Sequence, residues 1–167
     1  MTVALLSGKG RRTAAVLGAV SAGLLVLSAC DKPTPIATVT VGSNSVNTEA
    51  NCYNDGDAVK ESLLQGCLTK KAEKTIKVGM DDKVRFGVDP DIADHGWTLF
   101  INGQPAEQEP YKNSYRTIPG SAFFTPQQQA QPGAPMPPAP KDAQVSVVET
   151  SGKKLTGIWH FKLEKSS

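Results

Sequence analysis

Gln144-Val145-Ser146-Val147-Val148-Glu149, then Thr150-Ser151-Gly152-Lys153-Lys154, then Leu155-Thr156-Gly157-Ile158-Trp159-His160-Phe161-Lys162-Leu163, is the stretch that decides the fold. Its second apolar run alternates Leu155, Gly157, Trp159, Phe161 and Leu163 on one side with Thr156, Ile158, His160 and Lys162 on the other. A period of two belongs to a β-strand. The first run is rich in β-branched residues, and the segment between them holds a glycine. The pair therefore reads as a hairpin, with His160 expected on the outward side.

Working toward the amino terminus, the same signals recur. Ile36-Ala37-Thr38-Val39-Thr40-Val41, Thr75-Ile76-Lys77-Val78, Val84-Arg85-Phe86-Gly87-Val88 and Trp97-Thr98-Leu99-Phe100-Ile101 read as strands, the last ended by Asn102-Gly103. Residues 111–118 alternate and end at Pro119-Gly120. Residues 43–57 are polar and read as turns. Residues 57–68 carry Val59, Leu63 and Leu64 at helical spacing, with Asp57 as the expected cap and Gly66 as the expected stop. Met80-Asp81-Asp82 reads as a turn and residues 89–96 as a loop. The expected class is mainly β: a small antiparallel immunoglobulin-like sandwich or barrel with one short helix. Its core would use Val39, Val41, Val84, Phe86, Val88, Trp97, Leu99, Ile101, Val145, Val147, Trp159, Phe161 and Leu163.

Residues 127–140 interrupt this pattern with a Pro/Gln-rich run that has no charge and Met136 as its one large apolar residue. Such a run cannot build a core. Strands resume after it, so it reads as an insertion within one domain, residues 36–167. The composition agrees: 39% hydrophobic, 20% charged, with 15 glycines and 12 prolines in 167 residues suits one turn-rich domain.

Residues 1–29 lie outside the β pattern. They hold Lys9, Arg11 and Arg12, no acidic residue, and an uncharged run from Thr13 to Leu27. That run is long enough for the apolar part of a signal peptide and short of the roughly 20 residues a spanning helix needs. Leu27-Ser28-Ala29-Cys30 resembles a bacterial lipobox. The resemblance implies cleavage after Ala29, a diacylglyceryl group on the Cys30 sulfur, and a cell-membrane location on the extracytoplasmic side. Two acyl chains are what stable anchoring takes. Arg11-Arg12 also suggests twin-arginine export, but Thr13-Ala14-Ala15 follows where that signal carries a bulky apolar residue. Residues 30–35 would form a lipidated tether.

The leader holds three of the 18 basic residues and none of the 16 acidic ones, so the rest of the chain is almost neutral, at −1. Nucleic acid is not an expected partner. With Cys30 lipidated, Cys52 and Cys67 remain, and an oxidising compartment predicts a disulfide between them.

Chemistry-bearing motifs are sparse in the chain. His95 and His160 suggest a copper- or zinc-binding sandwich, but Met80 and Met136 are poorly placed to join them and no cysteine stands near His160. Asp89, Asp91 and Asp94 lack the spacing of a helix–loop–helix calcium site. No nucleophile elbow, zinc-hydrolase helix, phosphate loop or dinucleotide turn is present. No enzyme activity and no cofactor are expected. Tyr111, Tyr115, Phe123 and Phe124 form an aromatic group that would either cover the core or serve as a partner patch.

Taken whole, the chain resembles small actinobacterial lipoproteins of the streptomycete type that carry a domain of unknown function. The leader with Ala29-Cys30-Asp31-Lys32-Pro33, the segment from Cys52 to Cys67, and Arg85-Phe86-Gly87-Val88-Asp89-Pro90 carry the resemblance. It implies a membrane-anchored envelope protein with a wall component or another envelope protein as its partner, and it brings no catalytic residues.

Overall fold

Val84, Phe86 and Val88 alternate with Lys83, Arg85 and Gly87, which makes one side of that strand apolar and the other polar. The computed structural model describes residues 34–126 and 138–166. In it this strand, β5 (Lys83–Val88), lies inside a four-stranded antiparallel sheet, sheet A. The order is β2 (Asn44–Glu49), β1 (Ile36–Val41), β5, β8 (Tyr115–Pro119). Sheet B has six strands. Its path is β3 (Cys52–Tyr53), β10 (Lys154–Lys165), β9 (Asp142–Ser151), β6 (Trp97–Ile101), β7 (Gln104–Pro105), and β4 (Lys74–Val78) also pairs with β10. Three short helices complete it: α1 (Glu61–Leu68), α2 (Pro90–His95) and α3 (Ser121–Phe124). The protein is a mainly β, two-sheet sandwich.

The core lies between the sheets. Ala37, Val39, Val41, Val84 and Phe86 of sheet A meet Leu99, Val145, Val147, Trp159, Phe161 and Leu163 of sheet B. Each large apolar side chain removed from water contributes about 1.5–3 kcal/mol. Of the residues expected in the core, only Ile101 is half-buried, at its rim. Both tryptophans are fully buried, so their N–H groups need acceptors. Trp97 Nε1 donates to the Asn113 carbonyl at 2.7 Å and Trp159 Nε1 to the Pro35 carbonyl at 2.9 Å.

Several expectations are corrected. The polar stretch 43–57 contains two strands, β2 and β3, both at sheet margins where one side meets water. β4 does not fold back on β5. It lies parallel to the end of β10, Phe161 opposite Lys74 through Lys165 opposite Val78, and the Met80-Asp81-Asp82 turn carries the chain to the other sheet. Helix α1 begins at Glu61 rather than near Asp57, and Gly66 lies inside it. The expected loop 89–96 contains α2, because Pro90 occupies the first helical turn, where a missing N–H costs nothing. The strand expected over 111–118 shortens to β8, while Tyr111 bridges to Trp97. The Asn102-Gly103 turn is as expected, with φ of 50° and 81°, the left-handed pair of a two-residue hairpin.

Residues 1–33, which hold the expected signal peptide and Cys30, lie outside the described residues, as do residues 127–137 of the Pro/Gln-rich insertion. No described helix is long and apolar enough to cross a membrane.

Candidate functional site

Alternation along β10 points His160 away from the main core, but not into water. Val148, Ile158, Val59 and Cys67 form a second small apolar cluster on the outer face of sheet B, and His160 lies buried in the same layer, 1% exposed. The predicted disulfide holds this cover in place. Cys52 of β3 and Cys67 of α1 are joined, with their Cα atoms 5.8 Å apart. His160 Nε2 donates to the Cys67 carbonyl at 2.8 Å, so Nδ1 accepts from Ser146 Oγ at 2.7 Å. Both ring nitrogens are therefore engaged, and His160 has none to offer a metal. Burial holds its pKa below the ordinary imidazole range; the Cys67 carbonyl opposes that shift and the Lys70 charge adds to it. The expectation of an outward, solvated His160 fails because the outward face is roofed.

His95 occupies a different setting. β6 begins just after α2, and Trp97 pairs opposite Glu149. The end of α2 therefore overhangs Glu149, with His95 two residues before Trp97. Lys112 Nζ holds that end by donating to the Asp94 and His95 carbonyls at 2.9 and 2.8 Å. Glu149 continues the inward row of Val145 and Val147 and is wholly buried. Its Oε1 lies 2.6 Å from His95 Nδ1. A carboxylate accepts, so Nδ1 carries the hydrogen and Nε2 is left for other contacts on a ring that is 42% exposed. Glu149 Oε2 has no hydrogen-bond partner among the described residues. A glycine is required at position 157, opposite Glu149. A Cβ there would stand 2.5 Å from the Trp159 ring and 2.9 Å from Glu149 Oε2.

Glu149 was missed in the sequence, although the alternation that places Val145 and Val147 inward extends to it. Among the described residues, no three His, Cys, Asp or Glu side chains gather as a metal site. Asp89 does structural work instead, its Oδ2 accepting the Ile36 N–H at 2.8 Å.

The aromatic patch divides. Phe123 and Phe124 are buried, at 1% and 0% exposure, so they cover the core and cannot form a docking patch. Tyr111 packs edge-on against Trp97 at 4.9 Å, with the Arg116 guanidinium 5.1 Å over its ring. Burial first, and the Glu107 carboxylate second, push its hydroxyl pKa up to about 12. Tyr115 alone of the four is exposed, at 60%.

Tyr115 belongs to the outer face of sheet A. Strand register sets Ser45, Thr40, Arg85 and Thr117 in one row across that face, and Asn47, Thr38, Gly87 and Tyr115 in the next. No described element covers these rows. The Arg85 guanidinium sits 5.8 Å over the Tyr115 ring. A groove of about 630 Å³ is lined by Thr40, Gly42, Lys83, Arg85, Thr117 and Pro119. Its two cations have no ion-pair partner among the described residues.

Comparison with known proteins returns no matching family model, no matching curated protein and no matching solved structure.

Proposed function

We propose that this chain is a non-enzymatic binding or structural module of the cell envelope. A diacylglyceryl group on Cys30 would hold it at the extracytoplasmic face of the membrane. The outer face of sheet A would meet a wall component or an envelope protein. The lipobox-like Leu27-Ser28-Ala29-Cys30 supports the anchor. The observation that carries the binding role is the open polar groove, with Lys83 and Arg85 unpaired on a face that no described element covers.

The anchor and the face are tested separately. Cys30→Ser should yield unprocessed precursor or release protein to the medium; unchanged maturation and membrane retention would count against lipidation. A photo-crosslinker replacing Thr117 should trap an envelope component in living cells, and Arg85→Glu should abolish the adduct. Adducts indifferent to Arg85→Glu would remove the face from consideration.

The Glu149–His95 contact favours a second reading, a copper or zinc protein using His95. A metal-binding histidine commonly donates its other ring N–H to a carboxylate, as His95 Nδ1 does. Stoichiometric copper or zinc that disappears in His95→Ala would establish it. Protein without metal after exposure to either ion would end it.

A further inference from the structure

We infer that the sheet A groove binds an anionic polysaccharide, a sugar chain bearing carboxylate groups. This deepens the binding-module reading and rests on it. The first argument is charge. Lys83 and Arg85 line the groove with Thr40, Thr117, Gly42 and Pro119, and no carboxylate lines it. They stand on one side of β5 two residues apart, so their stems are about 7 Å from each other. The Arg85 guanidinium lies 5.8 Å over the Tyr115 ring, and its forked N–H groups match a carboxylate in bidentate fashion.

The second argument is the mix of donors and acceptors. Ser45, Thr40 and Thr117 flank Arg85 in its row, and Thr38 and Asn47 lie in the next. Thr40 Oγ1 and Ser45 Oγ are already 3.0 Å apart, oriented by each other. Hydroxyls and an amide both donate and accept. A bare phosphate only accepts, so half of that capacity would go unused on it. A polyol uses both halves.

The third argument is shape. Beside Arg85, the Tyr115 ring stays 60% exposed and adds apolar aromatic surface suited to the C–H side of a pyranose. Gly87 stands beside it in the same row and brings no side chain, which leaves backbone open to close approach. The three rows from Lys83 to Tyr115 span about 14 Å, enough for more than one sugar and suited to a chain that passes across the strands.

The test uses the protein as purified from the producing cells, kept in detergent micelles, and a fluorescein-labelled polygalacturonate oligomer. Dextran, inorganic polyphosphate and anionic phospholipid vesicles serve as comparison probes. Polygalacturonate should bind more tightly than all three. Arg85→Glu should weaken it by about tenfold or more. Tyr115→Ala should weaken it severalfold even at high salt, and Lys153→Glu at the far hairpin should leave it unchanged. Circular dichroism melting of each variant separates loss of binding from loss of fold; Lys83→Ser is the substitute if Arg85→Glu melts early. Equal binding of polyphosphate or vesicles would overturn the proposal in favour of charge alone. Equal binding of dextran would remove the role of the two cations, and no binding of polygalacturonate would also overturn it. If polygalacturonate fails while the Thr117 cross-link still depends on Arg85, the ligand class falls and the docking face stands. If both fail, the binding-module reading falls too.

Discussion

The two outer faces of this sandwich are built from the same kind of alternating strand and have opposite fates. On sheet B the outward row includes Val148 and Ile158, and the Cys52–Cys67 segment closes over them. On sheet A the outward rows are Thr38, Thr40, Lys83, Arg85, Thr117 and Tyr115, and no described element crosses them. Period-two patterning says which residues share a side. The chemistry of the outward set says whether that side is roofed.

The sharpest way to break the contrast is to unroof sheet B. Replacing Cys52 and Cys67 together by alanine frees a loop with a sequence separation of 15. The chain-entropy model puts the loss near 3 kcal/mol. Chemical denaturation should show that loss, with His160 gaining solvent exchange; a stability change under about 1 kcal/mol would mean the roof holds without its clasp.

Next in size is the Glu149 pocket. His95→Ala leaves a wholly buried carboxylate without its partner. Removing one member of a buried pair costs about 3–5 kcal/mol. His95 is nearly half exposed, so water replaces part of the contact and a loss of about 2 kcal/mol is expected. His95→Gln, which keeps an N–H for Glu149 Oε1, should recover much of it. If both variants lose equally, the hydrogen bond is not what matters.

His160 supplies a pH-dependent test of the roofed face. Its folded pKa lies below its unfolded value, chiefly through burial. The unfolded chain therefore binds the proton more readily. Stability from this group is complete above the ordinary imidazole pKa of about 6.5 and declines as pH falls toward the depressed folded value. Melting curves of wild type and His160→Gln between neutral and mildly acid pH should differ in slope over that window. Parallel slopes would show that His160 does not couple the roof to pH.

The smallest effect belongs to sheet A. Thr40→Ala, Lys83→Ser and Thr117→Ala should each shift stability by no more than about 0.5 kcal/mol, since they touch no packed layer. A loss above about 1 kcal/mol in any of them would mean that something packs on this face in the folded chain.

Much of this fold is legible in the sequence. The C-terminal hairpin, β1, β5, β6 and the inward rows follow from alternation, and the disulfide from cysteine arithmetic together with the expected export. β2 and β4 were harder for different reasons. Asn44–Glu49 is polar because an edge strand pairs on one side only. β4 finds its partner, β10, more than eighty residues ahead, and no local signal encodes a parallel neighbour at that distance. His160 was misjudged because alternation assigns direction and not solvent. Ile158 beside it in the outward set, with Val148 across the hairpin, carried the missing information. Glu149 was overlooked because a charged residue in a core register runs against expectation. The Lys83 and Arg85 face could be read directly from β5. What it binds depends on neighbours that only the register of four strands brings together.

The position of β10 has one more consequence. This strand joins β3, β4 and β9, and Trp159 beneath it bonds the carbonyl of Pro35, 124 residues away. A ribosome must therefore deliver residues 154–165 before sheet B has a centre. Until then the chain holds unmatched edges and no closed interior. High contact order of this kind slows folding.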